Sequence, residues 1–346
     1  MSDKGLTGLA NLGNTCFINS CMQIMSHTKL LNDFLDKNDS AYKQRLSAYH
    51  SKEYLLDSKL LVEWDNLRKL IWEENRTISP GGFLKAIQYV ARDKKREIFT
   101  GYAQNDLPEF LLFIIESFHN GMRREVNMTI KGDIKNDKDK LAIKCFEMMK
   151  NMYCSEYSEL LDIFYGIHIS IIEKDGKQIS IKPEPYFIID LPLDLEKQTL
   201  TIKDCFDKYC ESEKLEGVNA VYNEETKEKE DVERKIKFWN FPNIIVIDLK
   251  RFTYNGKKIQ KPVNLELDNL NLSEYVEGYN KDSYVYELYG VCNHSGGTLG
   301  GHYTATVRVN SGKWYLFNDT NISEVNFTGE NNTSGYCLFY KKKLNE

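Results

Sequence analysis

The sequence has no pair of C-x2-C knuckles, which removes the usual frame of a structural zinc site. It has no run of ~18 apolar residues, so no membrane-spanning helix is expected. The opening MSDKGLTGLA lacks an apolar stretch and resembles neither a secretory signal nor a transit peptide. A cytoplasmic or nuclear protein with no membrane partner is therefore expected. Internal repeats and low-complexity tracts are also missing. Net charge is −5, and this absence of positive excess argues against a general nucleic-acid binder. Eight cysteines are present, and without a secretion signal they read as reduced thiols rather than a disulfide framework. Cys205 and Cys210 lie five residues apart, roughly 140° around a helix, so they do not converge on one metal. No cofactor and no metal are expected.

What the sequence does contain begins at residues 11–20, NLGNTCFINS. Cys16 sits in a polar, glycine-bearing turn. Phe17, Cys21, Ile24 and Met25 come after it at the spacing of one helix face. A free cysteine is commonly a small buried hydrophobe. At the mouth of a helix, however, unpaired amides and the helix dipole stabilise a thiolate beyond what an unperturbed pKa of ~8.5 allows. Cys16 is thus a candidate nucleophile that needs a base.

The first third of the chain reads as helical. Residues 55–74 carry helical apolar spacing, and Ser79-Pro80-Gly81-Gly82 breaks the chain a few residues later. In GYAQNDLPEFLLFIIESFHN (101–120), Asn105 or Asp106 can cap a helix with Pro108 and Glu109 in its first turn. Its apolar residues run nearly all round, which predicts a central position in a core. Residues 121–140 read as a polar excursion, and a helix is expected from about 141 to 154. From Phe164 the pattern turns to strands, with Lys174-Asp175-Gly176 as a hairpin turn. A short helix is expected near 201–210. The charge run 223–237 reads as a solvated loop or exposed strand pair. Segments 244–252, 285–294, 302–309 and 313–319 read as strands. Helices first and sheet later imply an α+β fold with segregated layers and a cleft between the halves.

The second half supplies a candidate base. His302 comes directly after Gly300 and Gly301 at the start of a strand, and those glycines allow another backbone to approach closely. The next strand returns Asn318 and Asp319 toward it through the turn at Asn310-Ser311-Gly312. A thiol, an imidazole and an orienting amide or carboxylate form the set needed for acyl transfer. If the turn has three loop residues, Val309 pairs with Lys313 and Thr304 faces Asn318, on the His302 side of the strand. A two-residue loop shifts the register and brings Asp319 there instead. Sequence alone leaves both open.

Five ordered segments carry a family resemblance. GLANLGNTCFINS, GYAQNDLPEF, DLKRF with KIQKPVNLELDNLNLSEY, YELYGVCNHSGGTLGGHYTATVR with WYLFNDTNISEV, and GYCLFYKK together resemble the ubiquitin-specific protease family of deubiquitinases. The resemblance implies a papain-like cysteine protease fold, a single catalytic domain over 1–346. Its helical thumb would span roughly 5–120 and its fingers and palm roughly 155–346, leaving 121–140 unassigned. It implies Cys16 as nucleophile, His302 as general base and Asn318 as the third member, with Asp319 in support. Asn11 aligns with the oxyanion-hole side chain. Gln104 and Asp106, with Glu109, match positions that hold the basic ubiquitin tail, and His294 and Tyr303 match cleft-lining positions. The glycines at 296, 297, 300 and 301 suit a mobile loop. The implied activity is thiol-dependent hydrolysis after the C-terminal glycine of ubiquitin, by a monomer whose partners are ubiquitin and ubiquitin-conjugated proteins. A protease for another ubiquitin-like modifier, or a non-catalytic ubiquitin-binding module, are the alternatives. Where the family often carries fingertip zinc knuckles, this chain has GIHISIIEKDG and NAVYNEETKEKEDV. Strand pairing alone is therefore expected to hold the fingers.

Overall fold

The helix that is apolar on nearly every side becomes the axle of the helical half. In a computed structural model that describes residues 3–37, 54–101, 103–223, 227–297 and 300–343, it spans Leu107–Met122. Phe110, Leu111, Ile114, Ile115 and Phe118 are wholly buried on it. Pro108 sits in the first turn, where its missing N–H costs no helical bond. Asp106 occupies the cap position without making a side-chain cap bond, because its carboxylate accepts from Tyr336 Oη at 2.7 Å. Asn105 does not cap either; its amide donates to the carbonyls of Ile98 and Ala103.

Cys16–Ser26 and Leu55–Glu73 pack on this axle, Gly81–Asp93 packs on Leu55–Glu73, and Lys29–Lys37 adds Leu31 and Leu35 to the same core. Ser79 to Gly82 therefore opens a helix, with Pro80 at its cap position. Trp64, fully buried, lies between the rings of Phe83 and Phe118. Burying side chains of this size contributes about 1.5–3 kcal/mol each.

Residues 121–140 are an excursion only in their middle, 123–136. Gly121 and Met122 finish the central helix, and the next helix spans Asp137–Tyr153, starting four residues before the expected position. Asn136 caps it by accepting from the Asp139 amide, and Asp137 and Asp139 favour the positive end of the dipole. That helix lays Ala142 and Cys145 on a four-stranded sheet, against Ile167, Ile169, Ile171 and Trp239. This sheet runs in the order 177–186, 166–174, 232–240, 213–215. Its hairpin turns at Asp175 and Gly176, both with positive φ, as a two-residue primed turn requires. The expectation that strand pairing alone holds this region is corrected: a helix also covers its back. The charge run divides as well. Val221–Asn223 pairs with Glu228–Glu230. Val232–Asn240 becomes an interior strand, because Val232, Ile236 and Phe238 alternate into buried positions between its charges.

The larger sheet has eight strands, in the order 321–325, 314–318, 300–308, 285–297, 335–342, 244–249, 188–191, with 270–271 paired off this path. The last strand of the chain, Gly335–Lys342, inserts between 285–297 and 244–249. That crossover carries Tyr336 to the cleft. The helix Cys16–Ser26 packs on one face of 300–308, where Tyr303, Ala305 and Val307 join its core.

Candidate active site

Asn11 organises the turn that delivers the cysteine. Its Oδ1 accepts from the amides of Gly13 and Thr15, each at 3.1 Å. Gly13 and Asn14 adopt positive φ, which glycine and asparagine tolerate best. The carbonyl oxygen thus faces two N–H donors, so the network fixes which end of the amide is nitrogen. Nδ2 donates to Asp319 Oδ2 at 3.0 Å, and an amide nitrogen has a second N–H to offer.

Cys16 is the first residue of its helix. Nearby amides of Tyr303, Phe17 and Cys16 lower the thiol pKa, but burial raises it more and Asp319 adds to the rise. The net direction is upward. The expected dipole-stabilised thiolate is therefore corrected: the helix end contributes in the predicted sense, but desolvation of a side chain in a residue only 1% exposed outweighs it. At rest Cys16 is a neutral thiol, and a base must take its proton.

His302 lies one residue before the Tyr303 amide that meets Cys16. Val309 N donates to Lys313 O at 2.9 Å, leaving 310–312 as the three-residue loop, with Gly312 at φ +85°. The ladder then runs from Arg308↔Trp314 to Ala305↔Phe317. One further step sets Thr304 opposite Asn318, and Asn318 Oδ1 lies 2.7 Å from His302 Nε2. An amide oxygen can only accept, so Nε2 carries the proton and Nδ1 is free to take another.

Asp319 turns away. At φ +51° it directs its carboxylate to the cysteine turn, where it receives Asn11 Nδ2 and also Asn19 Nδ2 at 2.7 Å. Sequence reasoning missed Asn19, which is 2% exposed and also donates to Leu9 O at 3.2 Å. The available signal was an asparagine three residues after Cys16 inside an apolar helix, where its side chain competes with helical bonding unless tertiary partners occupy it.

The remaining residues gather where the helical half meets the sheet. Tyr303 and His294 rings lie 4.6 Å apart, with Tyr336 and Phe252 against the histidine. Burial and Lys258 hold His294 down to about 4, so it is neutral at physiological pH. Burial raises the Asp106 carboxyl above its ordinary value, although Tyr336 pulls it back. Gln104 does not reach into open space: both ends of its amide bond the backbone of Gly301. Glu109 is exposed on the first turn of its helix. The glycines expected in a mobile loop lie at the ends of two paired strands, Gly296 opposite Gly301 and Gly297 opposite Gly300, with 298–299 outside the described residues. A Cβ on Gly301 would collide with His294 Nε2, so only glycine fits there. Among the described residues, no three His, Cys, Asp or Glu side chains form a group that could hold a metal ion.

A thiol, an imidazole oriented by an amide, and a braced asparagine N–H are the side chains that hydrolysis through a cysteine nucleophile calls for. The family model described as "Ubiquitin carboxyl-terminal hydrolase" matches residues 7–340, and the chain belongs to that family. It is 33% identical to bovine ubiquitin carboxyl-terminal hydrolase 2 over 98% of this chain, and 32% identical to the human form. Human ubiquitin carboxyl-terminal hydrolase 21 is 28% identical, again over 98% of this chain. The chain spans 55%, 56% and 62% of these relatives' lengths, respectively. A solved SAGA DUB module containing Ubp8, Sgf11, Sus1 and Sgf73, bound to monoubiquitin, matches with TM-score 0.73 and 22% identity. The match covers 99% of this chain and 70% of that one, and it shows a shared α+β fold.

Proposed function

We propose that the chain is a deubiquitinating cysteine protease that hydrolyses the isopeptide or peptide bond after the C-terminal glycine of ubiquitin. The observation that carries this reading is the bond from His302 Nε2 to Asn318, on the residue next to the Tyr303 amide that meets Cys16; it leaves His302 Nδ1 unprotonated and able to act as a base. Nδ1 takes the Cys16 proton, and the thiolate attacks the glycine carbonyl carbon. The Sγ–C bond forms and the carbonyl electrons move onto oxygen, where the second N–H of Asn11 stabilises the oxyanion. As the oxyanion collapses, the C–N bond breaks and imidazolium returns the proton to the departing amine. Water then cleaves the thioester with His302 again as base. Asp319, held by Asn19, fixes the Asn11 amide.

Gln104, Asp106 and Glu109 are exposed at the surface, with Tyr303 and His294 buried behind them, and a basic tail suits the Asp106 and Glu109 carboxylates. Gln104 must release Gly301 to admit that tail. The likeness to a module solved with monoubiquitin supports ubiquitin as the partner. The chain acts as a monomer in a reducing compartment, cytoplasm or nucleus; all eight cysteines are free thiols, as such a compartment favours.

The test is Cys16→Ala. Hydrolysis of a ubiquitin conjugate is lost while ubiquitin binding persists, because the recognition surface lies away from the sulfur. Turnover by the purified variant would end the reading.

A further inference from the structure

Strand 300–308 has two faces with different neighbours. Tyr303, Ala305 and Val307 point to the helical half. His302, Thr304 and Thr306 alternate to the opposite face. There they line a groove of ≈ 490 Å³, closed on its far side by the segment 325–334. The floor is an uncharged hydrogen-bond network: Asn293 Nδ2 donates to Thr306 Oγ1 at 2.9 Å, and Ser334 Oγ donates to Asn293 Oδ1 at 3.1 Å. Glu330 brings the one carboxylate among the lining side chains, and it is exposed.

We infer that this groove binds the leaving polypeptide: the stretch of substrate that flanks the acceptor lysine, taken as an extended, polar segment of neutral or basic character. This rests on Cys16 acting as the nucleophile and His302 as its base. The acyl half of the scissile bond arrives on the Tyr303 side, beneath Gln104 and Asp106. The amine half must end within hydrogen-bond reach of the imidazole that protonates it. The acyl side is already filled by the tail. A lysine side chain reaching back from His302 therefore places its flanking backbone along the groove that His302 itself lines.

The chemistry of the walls fits such an occupant. Asparagine, serine and threonine side chains can exchange donor and acceptor roles with a peptide backbone of any sequence. A floor without charge does not select strongly among side chains. Glu330 at the rim favours basic residues over acidic ones. The groove thus strengthens leaving-side binding while tolerating many substrates.

The experiment compares two substrates of the full chain. One is ubiquitin carrying a C-terminal aminocoumarin, whose small leaving group does not enter the groove. The other is ubiquitin joined through an isopeptide bond to the lysine of a ten-residue peptide. Thr333→Trp fills the groove from one rim and Thr328→Trp from the other; both positions are exposed. The expected result is a loss of at least roughly tenfold in kcat/KM for the peptide conjugate, with the coumarin substrate changed less than about twofold. Equal losses on both substrates, or no loss on either, in both variants would overturn the assignment. If the unsubstituted chain cleaves neither substrate, the proposed activity itself falls and the groove's role with it.

Discussion

Asp248 interrupts an otherwise buried apolar strand, Ile244–Leu249. It pairs in register with Asp190 on the parallel neighbour, and its Oδ1 is buried without a hydrogen-bond partner. Burial pushes its pKa up to about 8; Asp190 and Asp106 add to the rise and Lys250 opposes it. In the unfolded chain an aspartate titrates near ~3.9. Between these values the native state holds a proton that the unfolded state has released, so stability falls as pH rises. The contribution is fully present below about pH 4 and gone above about pH 8. Four units at about 1.36 kcal/mol each give a total on the order of 5 kcal/mol. Asp248→Asn mimics the protonated acid and cannot ionise. Urea unfolding of both proteins from roughly pH 5 to pH 8 measures the difference, and the variant's advantage should widen by about 1.4 kcal/mol per pH unit. A gap that stays constant across that range would refute the reasoning.

Asn11→Ala should lower kcat by about 10²–10³ through loss of an oxyanion donor, with KM for a ubiquitin substrate little changed; an unchanged kcat assigns Asn11 to the turn alone. Asn318→Ala should lower kcat for a ubiquitin substrate because the bond that fixes the His302 ring and tautomer is gone, whereas Asp319→Ala should lower kcat by releasing the Asn11 amide; steady-state kinetics of the pair, with Asp319→Ala far the more damaging, would contradict the assignment of Asn318 as the His302 partner. Asn19→Ala should resemble Asp319→Ala in kinetics, since it removes the 2.7 Å bond that holds the carboxylate, and a loss confined to thermal stability would contradict this. Gly301→Ala should raise KM for ubiquitin while leaving the fold intact, because the new Cβ displaces the hairpin from His294; circular dichroism and steady-state kinetics separate the two effects.

Local chemistry is legible in the sequence wherever it depends on short spacing. The cysteine turn, the Pro108 helix start and the Asp175-Gly176 hairpin are patterns within a few residues, and each fixes its own backbone geometry. The split of residues 121–140 is harder to read, because Asn136 is one polar residue among many and its capping role shows only once the helix behind it is in place. Val232–Asn240 reads as solvated because its charges obscure the alternation of Val232, Ile236 and Phe238.

The choice between Asn318 and Asp319 marks the boundary. Sequence narrows it to a loop of two residues or three, and the loop's hydrogen bonds choose three. Two other decisions have no local signal. Asn19 finds its partner 300 residues away, and the direction of the Cys16 pKa depends on how much protein closes over the sulfur. A helix N-terminus and its amides are written in consecutive residues, so sequence determines their pull on a thiol. Desolvation is the sum of everything the fold packs nearby, and only the tertiary structure decides whether it outweighs that pull.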